Sequence, residues 1–596
     1  MSMKELEYPF DAGRILANRR KIRKELLSGS DSFAEKRIAV LGGSTTSGIV
    51  QALELFLLNQ GIRPSFYESE YGKYYEDACF GSEALDAFRP DIIYIHTTNR
   101  NVTAYPALTD TEEDIRALLD AEAGRFTEIW ESLARRYGCP VIQNNFEMPL
   151  YRLLGNLDAA DIHGRVNFLS RLNEAFYAYA REHRNFYICD INYISADYGL
   201  KEWSDPFYWH MYKYALNVSA IPYLSFNVAR IIKSLFGKNK KGLVLDLDNT
   251  LWGGVIGDDG PEHISIGHET SQGQVFTEFQ EYLKEQKQLG VLLNIDSKND
   301  EENALAGLKH PESTLAPEDF IEIRANWDPK DRNFREIAES LNLLPESLVF
   351  IDDNPAERHI IREQLPGVSA PEIGESHQYI VNIDRNGYFE ATTLSADDLK
   401  RNEMYRENAQ RAKLQAGFAD YGEYLDSLEM KAVIRPFEPM YLERIAQLTN
   451  KTNQFNLTTR RFTQGEIEAM AEDPGYITLY GKLEDRFGDN GVVSVAAGHQ
   501  DGGILHMDLW LMSCRVLKRD MEYAMMDELV RRCRQAGVTE IRGYYFPTAK
   551  NAMVKDFYGT LGFTKIREDE KGSAWSLAVT GAYENKNRHI KTEDAQ

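Results

Sequence analysis

The positions of apolar and polar residues divide the chain into three stretches. Up to about residue 236, short apolar runs ("RIAVLGGS", "DIIYIHTT", "CPVIQNN" and "NFYICDIN") alternate with helix-length amphipathic sequence. That alternation predicts a parallel sheet with crossover helices over residues 1–236. A polar, glycine-bounded linker, "GKNKKG" (237–242), follows. From Gly242 the alternation restarts with "GLVLDLD", "GVLLNID", "FIEIRAN" and "SLVFIDD", each run closing on polar or charged residues. Amphipathic stretches such as "GQVFTEFQEYLKEQKQLG" separate them, so a second α/β domain is expected over 242–385. Residues 386–430 read as a charged helical connector. Beyond it the order changes: strand "KAVIRPF", helix, strands "YITLYGKLE", "GVVSVAAGHQ" and "ILHMDLWLMS", helix, strand "TEIRGYYFP", helix. This predicts an α+β domain over 431–582 and a polar, frayed tail over 583–596. The expected fold class is therefore a multidomain α/β protein.

Composition narrows the function. With 596 residues the chain exceeds what one core supports, in keeping with several domains. A net charge of −24 argues against general nucleic-acid binding, which needs a basic face. No stretch approaches 18 consecutive apolar residues, so no membrane span is expected. The N-terminus lacks the apolar core of a signal peptide, and its basic cluster Arg19 to Lys24 reads as a solvated helix face. Five cysteines without paired spacing suit a reducing cytoplasm, with no disulfide framework and no zinc site.

The second stretch carries the chemistry. Ligands of open α/β sheets sit at the carboxyl ends of the strands, and there acidic residues recur. Asp246 and Asp248 follow the first run, Ser297 and Lys298 the second, and Asp352 and Asp353 end the fourth. Lys330, in "NWDPKDRN", opens a helix. A strand-end carboxylate can attack phosphorus, given carboxylates to hold Mg²⁺, a hydroxyl and a lysine for the phosphoryl oxygens, and a second acid–base group. Neither the gap from Asp248 to Ser297 nor that from Ser297 to Lys330 holds a cap domain, so an open site that admits a bulky substrate or a docked protein is expected.

This ordered set resembles the haloacid dehalogenase (HAD) superfamily. "DLDNTLWGGVIGDDG" with "DDNPAER" is similar to its FkbH-like branch. The resemblance implies a capless Rossmann-like domain that is Mg²⁺-dependent. It implies an enzyme that takes a phosphorylated three-carbon donor and loads the acyl unit onto the phosphopantetheine arm of an acyl carrier protein, in polyketide or related biosynthesis. By resemblance, Asp246 is the nucleophile and Asp248 the general acid/base. Asp246, Asp248 and Asp352 would be metal ligands with Asp353 beside them, and Ser297 and Lys330 would hold the phosphoryl group. One position departs. FkbH-like relatives usually place a cysteine before the motif-two serine, whereas this chain has Asp296, next to the metal site, and no cysteine between Cys189 and Cys514. A carboxylate cannot form the thioester. Three options stay open: direct delivery to the carrier thiol, phosphatase activity alone, or diverged chemistry.

The flanking stretches carry weaker resemblances. "VLGGSTTSG", Gly72, Asn99 and "WSDPFYWH" resemble an SGNH-hydrolase fold. There Ser44, Asp205 and His210 would form a nucleophile, orienter and base, and Gly72 and Asn99 would line an oxyanion hole; a serine esterase or thioesterase is the alternative activity. The third stretch resembles the GNAT acyltransferase fold, and "NKTNQFNLTTRRFT" (450–463) is typical of FkbH-like proteins. In "RVLKRDME", Lys518 and Asp520 replace the small residues of the pyrophosphate-gripping turn, which argues against coenzyme A. Asn453, Asn456, Arg460 and Arg515 are then candidate contacts for a pantetheine arm or carrier protein. Cys514 is read as a buried strand-end thiol.

Overall fold

The computed structural model describes residues 3–28, 33–548, 550–581 and 583–593. Two compact units meet in sequence between Lys233 and Ser234.

The first unit is built on a five-stranded parallel sheet of order β2-β1-β3-β4-β5. Its strands are β1 (Ala34–Gly42), β2 (Ile62–Glu68), β3 (Ile92–His96), β4 (Val141–Asn144) and β5 (Phe186–Cys189). The four predicted runs all form strands. β2 has no clear apolar signature because it is the sheet's edge, where Arg63, Pro64 and Ser65 are tolerated. The strand order reverses between β1 and β3, which puts Ser44 and Thr97 to Asn99 at the ligand-binding end of a doubly wound sheet.

In the second unit, β6 (Gly242–Leu245), β7 (Leu292–Ser297), β8 (Glu322–Ala325) and β9 (Leu348–Ile351) form a parallel sheet of order β8-β7-β6-β9. β6, β7 and β9 are buried along their whole length, which explains their uninterrupted apolar runs. The insert after β6 contains the four-residue helix Ile256–Asp259 and two isolated bridges, Asp248 with Trp252 and Gly253 with Ser265. Between β7 and Lys330 lie the short helix Glu301–Leu308, one 3-10 turn and β8. Neither insert forms a cap.

The connector is more than a linker. Tyr405 of its helix Arg401–Gln415 is buried with Val244, Leu292, Phe334 and Phe350. In the same helix, Arg411 is buried against Asp485, with hydrogen bonds of 2.6 and 2.8 Å.

The last sheet has eight strands, β10 (Lys431–Arg435), β11 (Tyr476–Asp485), β12 (Gly488–Asp501), β13 (Ile504–Met512), β14 (Glu540–Tyr545), β15 (Thr564–Asp569), β16 (Gly572–Ala578) and β17 (Lys591–Thr592). β13 and β14 run parallel and pair only over Ile504 to His506 and Glu540 to Arg542. Past that point the segment Phe455 to Leu457 fills the gap. Leu457 N donates to Trp510 O and Met512 N to Phe455 O, both at 3.0 Å, while on the other side Phe546 N donates to Leu457 O at 2.9 Å.

The frayed tail expected over 583–596 is corrected for residues 583–593; the last three residues lie outside the described ones. Asp527 accepts from Tyr583 Oη at 2.7 Å, Lys586 N at 3.0 Å and Asn587 N at 3.0 Å, and β17 pairs with β10. One half-buried carboxylate holds a segment whose own composition is polar.

Candidate active site

The site forms at the carboxyl ends of β6, β7 and β9. Asp246 leaves β6 with its N–H bound to Ile351 O at 2.9 Å, which fixes it between the central strands. The chain then turns through Asn249, in the left-handed region at φ 53°, where asparagine is tolerated. This turn brings Asp248 under the insert. Its Oδ1 accepts from Trp252 Nε1 at 2.9 Å and Ile256 N at 3.0 Å, and its Oδ2 accepts from Asn299 Nδ2 at 3.0 Å. Burial raises the Asp248 pKa even against these donors.

Lys330 opens the helix Lys330–Ser340 with its side chain only 3% exposed. Its Nζ lies 2.9 Å from Asp246 Oδ1 and 2.5 Å from Asp352 Oδ2. Burial alone would lower its pKa, but the two carboxylates outweigh burial and hold it above the ordinary lysine value. Asp352 accepts Asn354 N at 2.8 Å, and its carbonyl and that of Asp353 accept from Arg358 Nη1 at 2.6 and 2.8 Å. The β9 end is thus clamped from behind. Burial, then the charge of Asp246, raises the pKa of both Asp352 and Asp353.

Carboxylate oxygens of Asp246, Asp352 and Asp353 lie within 4.8 Å of one another. Three hard oxygen donors facing one ammonium leave uncompensated negative charge, which fits a divalent cation such as Mg²⁺. This carboxylate group differs from the ligand set expected from sequence. The Asp248 carboxylate is turned to its three donors and is not in this group; Asp353 stands there instead.

Ser297 is buried at the end of β7. Beside it, Asp296 is wholly buried; its Oδ1 accepts from Asn333 Nδ2 at 3.0 Å and its Oδ2 has no hydrogen-bond partner. Burial pushes its pKa up to about 8, so it is a neutral acid at pH 7 rather than a further anion. Asn299 and Asn333 were missed from sequence. Each had a positional signal, since Asn299 lies two residues beyond Ser297 and Asn333 one helical turn beyond Lys330.

The residues proposed for a serine-hydrolase site make other contacts. Ser44 is 2% exposed and its Oγ has no hydrogen-bond partner. Asp205 caps the helix Pro206–Tyr212 by accepting Phe207 N at 2.8 Å, and His210 lies exposed on that helix. Among the described residues no hydrogen bond joins Ser44, Asp205 and His210, although Thr45 N does reach Lys213 O at 3.0 Å. Gly72 is exposed in a turn at φ 77°. Asn99 donates its N–H to Glu147 Oε2 at 3.2 Å and its amide to the Glu147 and Met148 carbonyls at 3.4 Å, so it holds a loop.

The candidate pantetheine contacts are also mostly structural. Asn456 is fully buried within the segment that fills the β13–β14 gap, accepting Thr459 N at 2.9 Å. Asn453 accepts from Arg461, and Arg515, with its side chain 8% exposed, bonds Ser513 Oγ at 3.2 Å and faces Asp397. Only Arg460 keeps an exposed guanidinium, paired to Asp508. Lys518 and Asp520 both adopt left-handed φ, 63° and 61°, so the turn keeps a shape suited to small residues while carrying side chains. Cys514 is half-buried, with its Sγ 3.9 Å from Tyr405 Oη.

Residues 37–233 match the family model described as FkbH, N-terminal domain. The chain matches no curated protein. Among solved structures, it is similar to the N-terminal part of the protein BF1531 from Bacteroides fragilis, described as containing a phosphatase domain complexed with Mg. Identity is 29% over 63% of this chain and 99% of that one, with a TM-score of 0.58. The ribosomal-protein-S18-alanine N-acetyltransferase from Escherichia coli matches at 14% identity over 26% of this chain and 99% of that one, with a TM-score of 0.20. The PaiA N-acetyltransferase from Thermoplasma acidophilum, in complex with coenzyme A, matches at 13% identity over 25% and 99%, with a TM-score of 0.19.

Proposed function

We propose that this chain, a HAD-like phosphatase in its central domain, acts on a phosphorylated three-carbon acyl donor and delivers the acyl unit to the thiol of an acyl carrier protein. The observation that carries the phosphatase half is the cluster of Asp246, Asp352 and Asp353 around the Lys330 ammonium, with Asp248 held separately beside it. When bound, Mg²⁺ supplies charge neutralisation for the phosphoryl oxygens, held by Asp246, Asp352 and Asp353.

The residues divide the work as follows. Asp246 attacks the phosphorus of the donor's phosphate ester; an aspartyl O–P bond forms as the ester O–P bond breaks. Asp248, whose carboxyl burial keeps prone to hold a proton, gives that proton to the leaving alkoxide and later takes one from the water that cleaves the aspartyl phosphate. Lys330 and Ser297 hold the phosphoryl oxygens. The acyl half needs no thiol from this domain. A carrier thiolate forms a bond to the acyl carbon of an acyl phosphate, and inorganic phosphate leaves with the former C–O pair. Asp296, where a thioester-forming cysteine would stand in the relatives this chain resembles, supports direct transfer of this kind. The absence of a cap leaves room for a carrier protein at the mouth.

The test is Mg²⁺-dependent phosphate release together with the intact mass of a phosphopantetheinylated carrier. Asp246→Asn should abolish phosphate release; retained release would remove Asp246 from the nucleophile role. Phosphate without any mass gain on the carrier would leave a phosphatase and sink the transfer half.

A further inference from the structure

The mouth of this open site carries one large apolar group with no buried surface to cover it. Trp327 is 70% exposed in the turn between β8 and Lys330. A tryptophan left in water at that level forgoes most of the burial that usually retains it. It is nevertheless held in place: Trp327 Nε1 donates to Asp300 Oδ1 at 2.9 Å. Asp300 directly follows Asn299, whose amide holds Asp248 at 3.0 Å. Trp327 itself stands three residues before the Lys330 that bridges Asp246 and Asp352. The indole therefore staples the loop after β7, whose Asn299 holds Asp248, to the loop that leads into Lys330. Its single donor is spent on Asp300, so what it offers a substrate is a bare aromatic face.

A three-carbon donor held by its phosphates has little apolar surface to lay on that face. A pantetheine arm does: it is long, uncharged, carries geminal methyls and flat amides, and must pass this mouth for its thiol to reach the acyl carbon. Resting on the carrier-loading reading above, we propose that Trp327 is a positioning residue that seats the pantetheine arm of the acyl acceptor against its exposed indole face. Aromatic seating of this kind is worth up to about a tenfold change in affinity.

The test uses the full-length protein in Mg²⁺ with D-pantetheine as the probe, read by ligand-observed NMR and by the KM and kcat for the acceptor. Trp327→Ala should weaken pantetheine binding and raise the acceptor KM about tenfold, with a smaller effect on kcat. Trp327→Phe, which keeps the face and loses the bond to Asp300, should recover most of the affinity. Equal pantetheine binding by wild type and Trp327→Ala overturns the proposal. So does a Phe variant as weak as the Ala variant, because the role would then be the staple and not the face. The parent reading fails separately: wild type would bind pantetheine yet add no acyl mass to a carrier.

Discussion

Lys330→Met isolates the charge balance of the site. The wild-type ammonium is 2.9 Å from Asp246 and 2.5 Å from Asp352, with 3% of the side chain exposed. Methionine keeps the volume and removes the charge, leaving three clustered carboxylates with no cation among them. Removing one partner of a buried ion pair costs roughly 3–5 kcal/mol. In a unit of this size each kilocalorie lowers Tm by about 1–2 °C, so a drop of about 5 °C is expected in chelator. The variant should then respond to Mg²⁺ more than wild type, because its carboxylates no longer share their charge with lysine. At about one hundred times its Kd, the ion returns roughly 2.7 kcal/mol. Phosphate release should fall by about 10²- to 10³-fold even in saturating Mg²⁺, since the phosphoryl oxygens lose a preorganised cation. Thermal unfolding of both proteins with EDTA and across a Mg²⁺ titration decides the matter. If Lys330→Met melts within 2 °C of wild type in EDTA, the reasoning that lysine offsets this carboxylate cluster is refuted.

Two further outcomes concern groups elsewhere in the fold. Glu147 is 3% exposed and burial pushes its pKa up to about 7, so its contribution to stability declines as pH rises from about 4.5 to 7, by about 3 kcal/mol. Burial lowers His96 to about 4, so its contribution declines in the opposite direction, as pH falls below 6.5 towards 4. Glu147→Gln removes the first slope and leaves the second: relative to wild type, the first unit should gain stability between pH 5 and 7 in urea titrations, and parallel pH profiles would contradict the assignment. Asp527→Ala removes the acceptor of Tyr583, Lys586 and Asn587. It should release the segment after residue 582, at a cost of about 1–3 kcal/mol, seen as fast hydrogen exchange over residues 583–593. Unchanged protection there would show that β17 alone holds the segment.

Much of the catalytic end was legible in the sequence because burial and function coincide there. β6, β7 and β9 are covered on both faces, so their apolar runs are continuous and their ends are marked by the aspartates themselves. Where burial is one-sided the signal faded. β15 is exposed along all its residues and β2 contains Pro64, and neither was anticipated. Side-chain direction was also beyond the sequence. Asp248 and Asp353 both follow strand ends, and the Trp252, Ile256 and Asn299 donors decide that Asp248 turns away from the other carboxylates. Long-range closure was the least visible feature, since the Asp527 contacts span 56 to 60 residues. The same limit holds for 450–463, where Asn453 and Asn456 are hydrogen-bonded within the fold while Arg460 stays exposed.

That stretch has a wider consequence for what the C-terminal sheet can accept. Phe455 to Leu457 serves as the sheet's own resident guest. Any extended molecule entering between β13 and β14 must first break the main-chain hydrogen bonds at Trp510, Met512 and Phe546 and expose Asn456 and Leu457. Restoring glycine at positions 518 and 520 would ease the turn without opening the gap. An extended guest there would meet an occupied gap as well as the Lys518 and Asp520 side chains of the turn.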